Sequence, residues 1–329
     1  MKTKTIEKAI KNKIAAWANS VSDPVVADTI KNKTMVSGGA IASMLLKEQV
    51  NDFDIYFSTP EASLTVGYYY VQEMIKSQNM HINPRLLFIF ADGSEETYSI
   101  CPDDTDEQCK LFNSSNPPTG FIRYEVYIKS AGFVADGIDD NKYEFFESTA
   151  PEKADDYINQ EDVSDDGKPA YRPIFISSNA ITLSNRIQLI LRFTGTPEEV
   201  HKNFDFVHAT NYWSEKTGLV LNLDALASIL AKDLQYVGSL FPLASIFRTR
   251  KFIQRGWSCH VGNYLKMAVQ LNDLELKNLS VLKEQLTGMD AAYLSQVIKA
   301  IENGKSENGA EITTTYLMTL IERLMGESL

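Results

Sequence analysis

The sequence predicts an α/β domain built on a mixed sheet over residues 1–221, followed by an all-helical domain over residues 222–329. Three observations predict this. Strand-like runs alternate with helical patterns through the first part, the apolar spacing turns helical from about Asn222 onward, and one strongly acidic segment interrupts the first part. A chain of 329 residues has room for two cores. With 44% hydrophobic and 23% charged residues, the composition excludes wholesale disorder, collagen-like repeats and coiled coils.

Taken in order, Ile6, Ile10, Ile14 and Trp17 recur at helical spacing between lysines, which predicts an amphipathic packing helix. No secretory apolar core or cleavage site accompanies it. A short strand (34–37), two glycines, a short helix (40–47) and a strand (52–57) follow. From Ala91 to Gly167 there are 20 acidic and 5 basic residues, so the whole excess of the net charge of -11 sits in an insertion at about 91–175. Between its polar turns lie strand-like runs such as 121–128, which reads as sheet elaborated by solvated loops. Asp104 and Asp106, just after Pro102, read as a solvated acidic turn. Beyond the insertion come an apolar strand (187–193) and a compact helix start, with Thr196 as N-cap, Pro197 at the first position and Glu199 reaching back. Phe204 to His208 reads as a further strand.

In the helical part, one stripe is Leu226, Ile229, Leu230 and Leu234, a second is Leu294, Val297, Ile298 and Ile301 before Gly304, and a third is Ile312, Tyr316, Leu320 and Leu324. A basic stretch runs from Pro242 to Trp257, and no acidic residue occurs from Phe241 to Gln270. At about 100° per residue, Arg248, Lys251 and Arg255 share one face, with Leu243, Ile246, Phe247 and Ile253 opposite. Arg250 falls toward the apolar side, where it either snorkels or pairs with a carboxylate. Cys101, Cys109 and Cys259 show no metal or redox spacing, which favours a reducing, cytoplasmic setting. No run approaches the roughly 18 apolar residues of a membrane span. His81, His201, His208 and His260 lack metal-ligand spacing and read as structural, and no Walker-A loop, GxGxxG or HExxH occurs.

The most specific feature is Met35-Val36-Ser37-Gly38-Gly39-Ala40, with Asp52-Phe53-Asp54-Ile55 thirteen residues after Gly39. A strand that ends in two glycines and opens a helix lets backbone N–H groups approach phosphates, with the helix N-terminus adding partial positive charge. Ser37 adds a hydroxyl. Asp52 and Asp54 are two apart in a strand, so both carboxylates share one face while Phe53 and Ile55 point into the core. Paired carboxylates suit Mg²⁺ or Mn²⁺ held together with substrate phosphates.

This arrangement resembles the nucleotidyltransferase superfamily that includes DNA polymerase beta, poly(A) polymerases and CCA-adding enzymes. Ser37-Gly38-Gly39-Ala40-Ile41 with Asp52-Phe53-Asp54-Ile55 is particularly similar to the bacterial CCA-adding and poly(A) polymerase version. Phe204-Asp205-Phe206-Val207-His208-Ala209 resembles a later stretch of that group. Pro242 to Trp257 resembles the stretch that opens its helical domain. The resemblance implies transfer of a nucleoside monophosphate from an NTP such as ATP to an acceptor hydroxyl, with an RNA 3′ end as the acceptor. It implies two Mg²⁺ ions on Asp52, Asp54 and Asp205, although the neighbourhood of Asp205 serves in that superfamily either as a third carboxylate or as a sugar contact. Ser37, Gly38 and Gly39 would cradle the phosphates, and Arg248, Lys251 and Arg255 would hold triphosphate or acceptor. The departures are Ala42 and Ser43, where that group carries Arg-Asp, and Phe204 in place of an Arg. Together with the acidic insertion they fit a divergent, phage-encoded relative. Two other classes stay open: nucleotidylation of a protein or small molecule, and an inactive fold kept as a binding or virion component.

Overall fold

In the computed structural model, residues 2–78, 82–101, 109–130, 170–276, 278–285 and Met318 are described. The second and third helical stripes, Asp104, Asp106, His81 and much of the acidic insertion lie outside them. The chain divides into two units: the described part of the first runs to residue 203 and again from 208 to 226, and the second takes 204–207 and resumes at 227.

The first unit is mixed α/β. Helix α1 (Thr3–Ser20) buries Ile6, Ile10, Ile14 and Trp17, the stripe its spacing predicts. The Trp17 indole donates to the Tyr70 hydroxyl at 2.6 Å, so the polar edge of this buried ring has a partner. Asp23 caps α2 (Pro24–Lys33), accepting from the amides of Val25 and Val26, with Pro24 in the first turn. Strand β1 (Thr34–Ser37), helix α3 (Gly39–Leu46), strand β2 (Phe53–Phe57) and helix α4 (Pro60–Gln78) follow. Strands β3 (Ile82–Phe90), β4 (Glu95–Ser99), β5 (Lys110–Leu111) and β6 (Phe121–Ser130) form a four-stranded sheet in the order β5-β4-β3-β6. Its apolar side is aromatic: Phe88 meets Tyr98, Phe112, Phe121 and Tyr124. The Tyr124 hydroxyl donates to the Ser63 carbonyl of α4 and lies where a Cβ on Gly67 would be, which is why this helix carries a glycine in its interior. The described strands of the acidic insertion are thus part of a packed sheet.

Strands β7 (Pro173–Ile176), β8 (Ala180–Leu183) and β9 (Ile187–Thr194) lead to helix α5 (Pro197–His201), whose capping box between Thr196 and Glu199 is formed in both directions. After a 3₁₀ turn (Val207–Ala209), β10 (Tyr212–Ser214) and β11 (Gly218–Val220) complete a seven-stranded sheet in the order β11-β10-β1-β2-β9-β8-β7. Every pair is antiparallel except β2 and β9. One face is the core: Val36, Ile55, Phe57, Ile181, Leu183, Ile187, Leu189 and Leu191 are all fully buried in it with Trp213 beside them. At about 1.5–3 kcal/mol for each large apolar side chain removed from water, this face holds the sheet in register.

The second unit carries helices Leu223–Ala231 (in part), Pro242–Gln254, Val261–Asn272 and Leu279–Gln285. Three expectations are corrected here. Phe204 to His208 is not a strand: Phe206 makes one isolated bridge to Tyr236, and the chain turns 3₁₀ at Val207. The helical run also contains two short parallel strands, β12 (Asp233–Leu234) and β13 (Ser258–Cys259), because Lys232 takes φ 48° and ends the preceding helix. Leu234 therefore leaves the stripe, and Leu230 is 84% exposed while Ile229 is buried. Among the described residues, no helix is long and apolar enough to cross a membrane.

Candidate active site

At its Gly38 end, the face of the seven-stranded sheet opposite the core is polar and half-covered; farther along the same face Met35 and Tyr56 are buried. Register places Tyr212 beside Ser37, Ser37 beside Asp54, Asp54 beside Gln188, and Gln188 beside Thr182. Residues paired in register point their side chains to the same face. Five strands therefore contribute one continuous row, of which Tyr212, Asp54, Gln188 and Thr182 are half-exposed and Ser37 is buried.

Asp54 faces the start of α3. Gly38, between β1 and α3, has φ 87° and ψ −154°, and its amide donates to the Ala209 carbonyl at 3.1 Å. A Cβ at this position would fall 2.5 Å from Asp54 Oδ2, so the carboxylate rests against a bare α-carbon. The positive φ calls for glycine here, and the Asp54 carboxylate takes the space a Cβ would fill. The first amides of α3 have no partner within the helix and make its end electropositive. A carboxylate thus stands beside an anion-attracting helix terminus, the juxtaposition that the Gly-Gly and Asp-x-Asp spacing predicts. Asp52 lies one residue before β2 and is half-exposed. Phe53 turns to the other face, where the Lys13 ammonium sits 5.7 Å from its ring and 5.3 Å from that of Tyr171.

Ser37 is placed differently from expectation. It is 0% exposed, and its hydroxyl lies 2.9 Å from the Asn211 carbonyl, 3.2 Å from the Ala209 carbonyl and 2.9 Å from His201 Nε2. One hydroxyl proton serves this set best if Ser37 donates to Asn211 and the neutral His201 donates its Nε2–H to Ser37 Oγ. The hydroxyl therefore ties the end of β1 to the 209–211 segment rather than to a phosphate. Burial pulls the His201 pKa down to about 4, with Glu198 acting weakly in the other direction. The unfolded chain takes up this proton near the ordinary value of 6.5 and the folded one does not. His201 therefore contributes stability that is complete above pH 6.5 and is lost as the pH falls toward 4. We expect the thermal midpoint to drop between pH 7.5 and 5.0, and to drop less in His201→Gln, which keeps a donor for Ser37. Equal drops in the two proteins would contradict this role.

In the second unit, Asp205 is 7% exposed and is bonded to the Arg248 guanidinium. Its backbone carbonyl accepts from Val237, and the adjoining Phe206 ring packs against Tyr236 and Phe252. A carboxylate among such neighbours needs a cation, and Arg248 supplies it. The cationic stripe of helix Pro242–Gln254 is consequently turned inward, which corrects the expected amphipathicity. Ala244, Ser245 and Thr249 are buried, whereas Ile253 is 46% exposed and Leu243, Ile246 and Phe247 are half-exposed. Ser245 and Thr249 tolerate burial because their hydroxyls donate to the carbonyls of Phe241 and Ser245, one turn back. Lys251 is half-buried, and the Arg255 guanidinium lies 5.9 Å from the Phe252 ring.

Among the described residues, no group of three or more His, Cys, Asp or Glu side chains is arranged to hold a metal ion. Sequence reasoning missed Gln188, Tyr212 and the His201 contact. The first two are polar positions in short alternating strands, but nothing local announces which strand they pair with.

A family model described as "Gad2: Gabija anti-defense 2 family protein" matches residues 8–232. No curated protein matches the chain. Among solved structures, one described as "Structure of tRNA-processing enzyme with CTP" is similar at 12% identity and a TM-score of 0.32, over 90% of this chain and 68% of that one. At that score the likeness carries no argument about fold or chemistry.

Proposed function

Since the chain belongs to the Gabija anti-defense 2 family, we propose that it acts against a defence system, and that it does so by transferring a nucleoside monophosphate from an NTP to an acceptor hydroxyl. The observation that carries the reading is the Asp54 carboxylate resting against Gly38 at the N-terminus of α3.

The donor set fits a hard divalent cation. Asp52 and Asp54 offer oxygen ligands on one side of β2, and Mg²⁺ is commonly held by one or two carboxylates together with substrate phosphates. When bound, such ions neutralise the triphosphate and lower the pKa of the attacking hydroxyl. The chain's own residues do the remainder. With the Gly38 amide held by the Ala209 carbonyl, the Gly39 amide and those after it at the start of α3 receive phosphate oxygens, Ser37 fixes the strand end beneath them, and the fully buried partners Val36 and Ile55 hold β1 and β2 together.

The motif resemblance favours an RNA 3′ end as acceptor. The family's printed name favours a second destination, a protein or small molecule of the opposing defence. Each α-labelled NTP is incubated with Mg²⁺, the protein, total RNA and a cell extract, and the label is followed. Label in RNA supports tailing, and label in a protein band or small metabolite supports the second destination. No incorporation from any NTP, together with no NTP-dependent thermal shift, would overturn the enzyme and leave a binding protein.

A further inference from the structure

We propose that Gln188 binds the acceptor hydroxyl, an inference that rests on the nucleotidyl-transfer reading above. Displacement at phosphorus is in line, with the entering oxygen opposite the leaving group. The phosphates, and with them the leaving pyrophosphate, belong at Gly38 and Gly39, where β1 gives way to α3. In the sheet, β1 flanks β2 on one side and β9 flanks it on the other. The entering hydroxyl therefore comes from the β9 side of Asp54. The residue that register places there is Gln188.

Two features make Gln188 suited to this. Its neighbours Ile187 and Leu189 are fully buried in the core face, so the pleat holds position 188 on the Asp54 face and a slip of one residue would expose both. Its side chain is half-exposed, and among the described residues its amide makes no side-chain hydrogen bond. Thr182 continues the polar row on β8. An amide both accepts and donates, so it orients a hydroxyl without adding a third negative charge beside the carboxylates and without taking the proton itself. In the step, the acceptor oxygen bonds to the α-phosphorus. The bond from that phosphorus to the bridging oxygen breaks, and its electron pair leaves on pyrophosphate. The hydroxyl proton passes to a carboxylate of the Asp52–Asp54 pair and then to water.

The test uses the full chain with α-labelled ATP, Mg²⁺ and an RNA oligonucleotide bearing a free 3′ hydroxyl. Gln188→Ala is expected to raise the KM for the oligonucleotide roughly tenfold, the loss of one hydrogen bond of about 1.4 kcal/mol, while keeping the ATP-dependent thermal shift of the wild type. If the wild type labels the oligonucleotide and Gln188→Ala does so with the same KM, this inference alone falls. If the wild type neither labels it nor shifts with ATP, the nucleotidyl-transfer reading falls first. Gln188→Glu gives a readout independent of transfer: Mn²⁺ alone, followed by its paramagnetic resonance, should bind more tightly than to the wild type because a third carboxylate then adjoins Asp54. Unchanged Mn²⁺ affinity would show that position 188 does not face the pair.

Discussion

Replacing Asp52 and Asp54 together by alanine is expected to lower label transfer by on the order of 10³-fold or more, exceeding the roughly 10²–10³ that a single preorganised donor is worth. Asp54 pairs with Ser37 and rests against Gly38, Asp52 lies two residues before it, and no other acidic residue occurs on β1 or β2 to replace their charge. Both residues are half-exposed, and the core side chains Ile55 and Phe57 are untouched. The thermal midpoint should therefore stay near that of the wild type, a change of about 1 kcal/mol or less in stability. Transfer that survives in the folded double variant would remove these residues from the chemistry. Collapse of the fold would be resolved with Asp54→Asn, which keeps the shape against Gly38 and removes the charge.

The second large effect is on stability. Arg248→Ala leaves the Asp205 carboxylate, whose side chain is 10% exposed, without its guanidinium. Removing one partner of a buried pair costs about 3–5 kcal/mol; Arg248 keeps a side-chain exposure of 34%, and the expected loss is about 2–4 kcal/mol in urea unfolding. The Asp205→Ala, Arg248→Ala double variant should be more stable than Arg248→Ala alone, because no uncompensated charge is left. A single variant as stable as the wild type would show that the pair is exposed and dispensable.

Legibility in the sequence followed the range of the interaction. Local geometry is readable: the α1 stripe, the capping box at Thr196 and the Gly-Gly strand end all depend on residues a few positions apart, and all are present, whereas β2 begins at Phe53 and leaves Asp52 outside the strand. The fate of Phe204 to His208 was not, because its backbone bonds to Gln235 and Val237 rather than into a sheet. The inner face of helix Pro242–Gln254 was misread for a related reason. Periodicity ranks Leu243, Ile246 and Phe247 as core, but an arginine with a buried carboxylate partner and a phenylalanine with aromatic neighbours outrank them. Gln188 was invisible because parallel pairing of β2 with β9 joins residues more than 130 positions apart. Within the candidate site, the Gly38–Asp54 contact was therefore foreseeable and the full row across the sheet was not.

Whether Asp52, Asp54 and the Gly38–Gly39 helix start form one nucleotide site is decided by a crystal structure with Mn²⁺ and a non-hydrolysable α,β-methylene NTP. Anomalous density for Mn²⁺ is expected at Asp52 and Asp54, with phosphate oxygens on the Gly39 amide and the amides after it at the start of α3. Nucleotide or metal bound elsewhere, or an empty site at saturating concentrations of both, would contradict this assignment.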